Sequence, residues 1–210
     1  NYLDSVKSAL QVQWPKNRTI NLVFHGHSVP SGYFRTPDVK TFDSYPHLAF
    51  HGVKDMYPFA VINVITTSIG GENSRSGALR FEKDVLCHKP DVLFIDYALN
   101  DRRLSLGESE KAWSEMIEKA LMQNCKVILL TPTADTSAKM NDPNDMLYQH
   151  ALQVHALADK YRVGLVDSYA RFQEYINAGG KLDDLMSQIN HPNRKGHELV
   201  AGEIVKWFVK

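Results

Sequence analysis

Apolar residues along the chain form short unbroken runs, separated by longer stretches in which they recur every three or four positions. The runs are INLVF at 20–24, AVINVI at 60–65, DVLFIDY at 91–97, KVILL at 126–130 and VGLV at 163–166. Short runs rich in Val and Ile, apolar at consecutive positions, predict strands buried on both faces. Helical spacing occupies 44–56, 74–86, 108–123, 144–161 and 168–177, and HELVAGEIVKWFVK closes the chain. Within 108–123, Trp113, Met116, Ile117 and Leu121 fall on one helical face. Strand and helix alternate five times, which predicts an α/β fold with a five-stranded parallel sheet covered on both sides. Right-handed crossovers then favour a doubly wound, three-layer α/β/α sandwich. No repeat or low-complexity tract interrupts the pattern. Its least regular stretch, ADTSAKMNDPN, follows the fourth run and reads as a surface loop.

Composition narrows the classes without naming a chemistry. The 210 residues suit one core and read as a single domain over 1–210. Lys+Arg and Asp+Glu balance at 24 each with no basic cluster, which argues against nucleic acid as a partner. No apolar stretch approaches the roughly 20 residues of a membrane-spanning helix. The chain begins at Asn1 rather than Met and reads as trimmed, so periplasmic, secreted and cytoplasmic locations stay open. Cys87 and Cys125 form neither a disulfide framework nor a CxxC site. Two free, mostly buried thiols are favoured over a pair.

In open α/β sheets, ligands sit beyond the carboxyl ends of the strands. Those ends are followed here by HGHS, TTSIGGENS, ALNDRR, TPTADTS and DSYAR. Ser28, Gly71, Asn100 and His191 each have an ordinary reading alone: a cap, a tight turn, an Asx turn and a surface imidazole. Together they supply a hydroxyl, a backbone donor, a side-chain amide and an imidazole at one end of the sheet. Acyl transfer needs a nucleophile, a base to take its proton and donors aimed at the developing oxyanion.

These blocks resemble those of the SGNH or GDSL-type hydrolases, serine esterases on a flavodoxin-like sandwich. FHGHS resembles the first block, with His27 where the family has Asp. SIGGENSRSGALR is similar to the second and places Gly71 on the oxyanion glycine. IDYALND resembles the third, with Ala98 for Gly and Asn100 on the donor, and NHPNRKGH matches the fourth through His191. The resemblance implies that Ser28 is the nucleophile, His191 the base, and Gly71 and Asn100 oxyanion donors. It requires no metal or other cofactor, although His25, His27, Asp96 and Asp101 are metal-ligand types.

One departure bears on mechanism. Three residues before the family's His stands an Asp; here it is Gln188, which brings no charge. Gln188 or a backbone carbonyl could orient His191, Asp184 or another acid could reach in, or the chain could be a weak or non-catalytic glycan-binding relative. His27, Glu72, Asn73, Arg75 and Asp101, with Tyr33, Phe34 and Tyr97, are the expected substrate rim. Charged groups beside aromatic faces favour removal of short acyl groups, acetyl above all, from a carbohydrate. Lysophospholipase or thioesterase chemistry is the alternative within the family. Oligomeric state is not legible.

Overall fold

The computed structural model describes residues 2–209. Strands β1 (Thr19–Gly26), β2 (Val61–Thr66), β3 (Val92–Asp96), β4 (Lys126–Leu130) and β5 (Gly164–Val166) form one five-stranded sheet in the order β2-β1-β3-β4-β5. Every pairing is parallel. The chain steps outward from β1 to β2, then returns across β1 to β3. The carboxyl ends of β1 and β3 therefore flank the point where strand order reverses, the place for a ligand in such sheets.

Side chains alternate across this sheet. Leu22 and Phe24 of β1, Phe94 of β3 and Ile128 of β4 pack under helices α1 (Asp4–Gln11), α3 (Tyr45–Met56), α9 (Ser168–Asn177) and α10 (Arg194–Lys206). Val23, Leu93, Ile95 and Leu129 pack under α4 (Ser74–Leu79), α5 (Phe81–Asp84), α7 (Leu106–Met122) and α8 (Met146–Tyr161). The rings of Phe24 and Phe94 stack at 4.3 Å between centroids on adjacent strands. The three layers and the parallel sheet are those read from the hydrophobic pattern.

The differences lie at edges and breaks. β2 is an edge strand with no fully buried residue, and Val61 is 49% exposed. α1 leaves little mark in the hydrophobic pattern because its buried stripe, Val6 and Leu10, is only two residues deep. The helix expected over 74–86 divides at Arg80, which ends α4 and caps α5 while its side chain turns inward to Glu72. α7 starts before 108 because Ser105 and Glu108 form a reciprocal capping box. α10 starts at Arg194, ahead of the HELVAGEIVKWFVK stretch, because the Asn193 side chain accepts from Gly196 N–H and caps it. The loop after β4 is not wholly on the surface: Thr133, Ala134, Asp135 and Met140 are buried. Both cysteines are free, but only Cys125 is buried; Cys87 is exposed, against expectation. Burial pushes the Cys125 thiol up to about 12.

Candidate active site

β1 ends in Gly26 pressed against β3. A Cβ there would lie 2.4 Å from the Asp96 carbonyl oxygen, so only glycine lets the two strand ends meet. The chain then turns into the short helix α2 (Ser28–Ser31), with Ser28 as its first residue. The His27 ring accepts from Val29 N–H at 3.2 Å and caps that turn. Its other nitrogen lies 3.3 Å from the buried Asp96 carboxylate, and Asp96 accepts from Tyr45 OH at 2.9 Å.

His191 reaches Ser28 from the opposite end of the sequence. Met186–Gln188 and His191–Pro192 pair as two short antiparallel strands, β6 and β7, just before α10. His191 Nε2 lies 2.9 Å from Ser28 Oγ, and both residues are largely buried. His191 Nδ1 lies 2.7 Å from the Phe34 carbonyl oxygen. A carbonyl has only lone pairs to offer, so Nδ1 must carry the proton and donate it. Nε2 is then free to accept from the Ser28 hydroxyl, the tautomer a general base requires.

Gln188 approaches the same nitrogen, its Nε2 2.9 Å from Nδ1. Its Oε1 accepts from Thr36 N–H at 3.0 Å, which fixes the amide with its NH2 toward the ring. Gln188 therefore supplies no acceptor to His191; it anchors the turn whose Phe34 carbonyl does. That turn is ordered by Tyr33 N–H on Ser28 O at 3.1 Å and Phe34 N–H on Asp38 O at 3.0 Å. Asp184 is engaged elsewhere, accepting from Tyr175 OH and Lys181 N–H. Burial lowers the His191 pKa, the Phe34 bond opposes this, and nearby His27 adds to the lowering.

Ser28, Gly71 and Asn100, which follow β1, β2 and β3, each bring an N–H donor. Among the described residues no acceptor takes the main-chain N–H of Ser28 or Gly71. Gly71 has φ +78°, a left-handed conformation that suits glycine, and a Cβ there would meet nothing. Asn100 lies on the short helix α6 (Ala98–Asp101) and gives one amide proton to Glu72 O at 2.8 Å, leaving its second. Bonds from Ile69 N–H to Gly26 O at 3.1 Å and from Ser31 Oγ to Ser68 O at 3.1 Å hold the β2 loop against the Ser28 turn.

The GDSL-like lipase/acylhydrolase family model matches residues 24–199, which contain all four blocks. The chain belongs to this family. It is accordingly a carboxylic ester hydrolase, and the resemblance read from the blocks is borne out. Among relatives, an acetylxylan esterase of Geobacillus stearothermophilus is 23% identical over 158 residues, covering 70% of this chain and 72% of the relative. The crystal structure of an acetylxylan esterase from that organism superposes with a TM-score of 0.78 at 22% identity, covering 91% of this chain and 94% of the other. A two-domain esterase active on acetylated mannans superposes with a TM-score of 0.80 at 22% identity over 99% of this chain. This chain spans 52% of that two-domain esterase. At such identities the solved structures establish a shared fold.

As a GDSL-like hydrolase the protein keeps its rim residues in unexpected places. Asp101 is fully buried: Oδ1 accepts from Ser74 N–H at 2.8 Å, and Oδ2 from Ser109 Oγ at 2.9 Å and Trp113 Nε1 at 2.7 Å. It joins α4, α6 and α7 and has no face toward substrate. His27 is buried beneath Ser28, and the Glu72 carboxylate turns inward to Arg80 and Tyr97. Asn73 caps α4 by accepting from Ser76 N–H, and the exposed Arg75 pairs with Glu108 on α7. Of the aromatics, Phe34 and Tyr97 are buried; Tyr33 is half-buried with its ring 6.0 Å from that of His191. His25 and His27 diverge, His25 toward Thr67 and Tyr97, His27 toward Asp96. Among the described residues no three His, Cys, Asp or Glu side chains converge on a metal position.

Proposed function

We propose that the protein removes acetyl groups from an acetylated carbohydrate, with Ser28 as nucleophile and His191 as general base. The observation that carries this reading is the relay from the Phe34 carbonyl through His191 to Ser28 Oγ, with bonds of 2.7 and 2.9 Å. His191 Nε2 takes the hydroxyl proton as Oγ attacks the ester carbonyl. The main-chain N–H groups of Ser28 and Gly71 and the Asn100 amide receive the oxyanion. Collapse of the tetrahedral intermediate breaks the acyl–oxygen bond, and the sugar alkoxide leaves with the proton from His191. Water, deprotonated by the same ring, then hydrolyses the acetyl-enzyme and restores Ser28.

Relatives named for acetylated xylan and mannan favour a glycan ester, and the half-buried Tyr33 ring beside His191 offers a face on which a sugar could stack. Acetate released from acetylated xylan and mannan oligosaccharides, with p-nitrophenyl acetate hydrolysed faster than the octanoate, is the expected result. Faster turnover of the octanoate would point to lipid or thioester chemistry instead.

Gln188→Glu tests the orientation of His191. The pKa of His191 lies below the usual 6.5 for histidine, so wild-type activity persists below that pH and falls as the pH drops through the lowered value and the ring protonates. A carboxylate against Nδ1 favours the imidazolium and raises the ring pKa by about 1–3 units. The acid limb of kcat/KM should move to higher pH by that amount, while the Thr36 bond is retained. An unmoved limb would show that position 188 does not act on the base.

A further inference from the structure

We infer that Glu72, Tyr97 and Arg80 are positioning residues that hold the oxyanion donors in place, an assignment that rests on the reading of Ser28, Gly71 and Asn100 given above. The geometry is a closed ring. Tyr97 OH donates to Glu72 Oε2 at 2.7 Å. The main-chain carbonyl of Glu72 accepts from Asn100 Nδ2 at 2.8 Å. The main-chain N–H of Asn100 returns to the Tyr97 carbonyl at 3.0 Å. Glu72 directly follows Gly71, so a shift of its main chain would disturb both the turn that carries the Gly71 N–H and the acceptor of the Asn100 amide.

Arg80 closes the ring from behind. Its Nε and Nη2 grip both Glu72 carboxylate oxygens, at 2.8 and 2.5 Å, and Nη2 also donates to Thr67 O at 2.7 Å. His25 of β1 sits 3.1 Å from Tyr97 OH through Nε2 and 3.0 Å from Thr67 Oγ1 through Nδ1. The ends of β1, β2 and β3 are thus tied to one carboxylate. The Glu72 side chain is 8% exposed and the Arg80 side chain 16%. Burial tends to raise the Glu72 pKa, but the bonds from Arg80 and Tyr97 outweigh it and hold the carboxyl below the usual range. A carboxylate for substrate contact would face solvent; this one faces Arg80 and the Tyr97 hydroxyl. Two peptide-scale donors fixed before substrate arrives are what preorganised oxyanion stabilisation requires.

Tyr97→Phe deletes one hydroxyl and keeps the ring that packs against α4, and Glu72→Gln keeps the shape. With p-nitrophenyl acetate, kcat should fall about 10-fold in Tyr97→Phe and further in Glu72→Gln, with KM within about twofold, because the donors act on the transition state. Affinity for methylboronic acid, which forms a tetrahedral anion on a serine oxygen, should weaken by the same factor as kcat. Placed in Asn100→Ala, Tyr97→Phe should cost clearly less than its roughly 10-fold in the wild type, since only the Gly71 donor is then left for the ring to position. Unchanged kcat and boronate affinity in variants that melt earlier would reduce the ring to a structural brace and overturn the inference. Loss of effect on kcat in Tyr97→Phe alone is decisive even if Glu72→Gln does not fold. Hydrolysis that survives Ser28→Ala, with no boronate binding to the wild type, would instead show that the active-site reading itself is wrong.

Discussion

Ser28→Ala should leave a folded protein whose kcat for acetyl esters falls by about four to six orders of magnitude. The size follows from the role. Without Oγ no acyl-enzyme forms, and what remains is the oxyanion donors acting on direct attack by water. The fold should survive because, among the described residues, the Ser28 side chain bonds only to His191, while its main-chain carbonyl, which accepts from Tyr33 N–H, is untouched by the change. Alanine also suits the first residue of a short helix. The measurement is kcat on p-nitrophenyl acetate beside a circular-dichroism melt. A melt unchanged within a few degrees with activity lost places the effect in chemistry. Activity kept within tenfold would remove Ser28 from the mechanism.

Asn100→Ala is the second large effect. One oxyanion donor is typically worth about 10²–10³ in kcat, or roughly 3–4 kcal/mol of barrier. Here the amide has a second task, since its other proton satisfies the Glu72 carbonyl. The variant should therefore sit toward the upper end of that range, with KM nearly unchanged. Asn100→Asp should do worse, because a carboxylate would repel the developing oxyanion and place lone pairs against the Glu72 carbonyl. Steady-state kinetics of both variants check the order. A full-rate Asn100→Ala enzyme would mean that the two main-chain donors carry the oxyanion alone.

The architecture was legible because burial leaves a strong mark. Strands β1, β3 and β4 are apolar at consecutive positions since helices cover both faces, and α7 shows its buried stripe of Trp113, Met116 and Ile117. The boundaries were less legible where a single polar contact sets them: Asn193 for α10, Ser105 and Glu108 for α7, and Arg80 for the break after α4. At the site, the chain order of Ser28, Gly71, Asn100 and His191 was legible, the first three following the ends of β1, β2 and β3.

The rim was not legible for a different reason. Asp101, Glu72 and His27 follow strand ends and are polar, which in sequence is the mark of a ligand contact. Each proves to be buried against a partner that the sequence does not place: Trp113 for Asp101, Arg80 for Glu72, Asp96 for His27. A backbone carbonyl was among the orienters the sequence left open for His191, but which one was not legible. It is the carbonyl of Phe34, and every residue has one; its use depends on how the 34–36 turn folds and on Gln188 holding Thr36. Where the family has an acid at position 188, the Phe34 main-chain carbonyl, rather than another carboxylate, faces His191 Nδ1.

The most direct test of Ser28 as nucleophile is covalent. Wild type and His191→Ala would be treated with an ethyl fluorophosphonate ester, digested and read by tandem mass spectrometry. A serine activated by His191 Nε2 at 2.9 Å predicts one phosphonate adduct, on Ser28, formed rapidly in the wild type and far more slowly without the imidazole. An adduct on another serine, or no adduct on a folded protein that still hydrolyses acetyl esters, would contradict it.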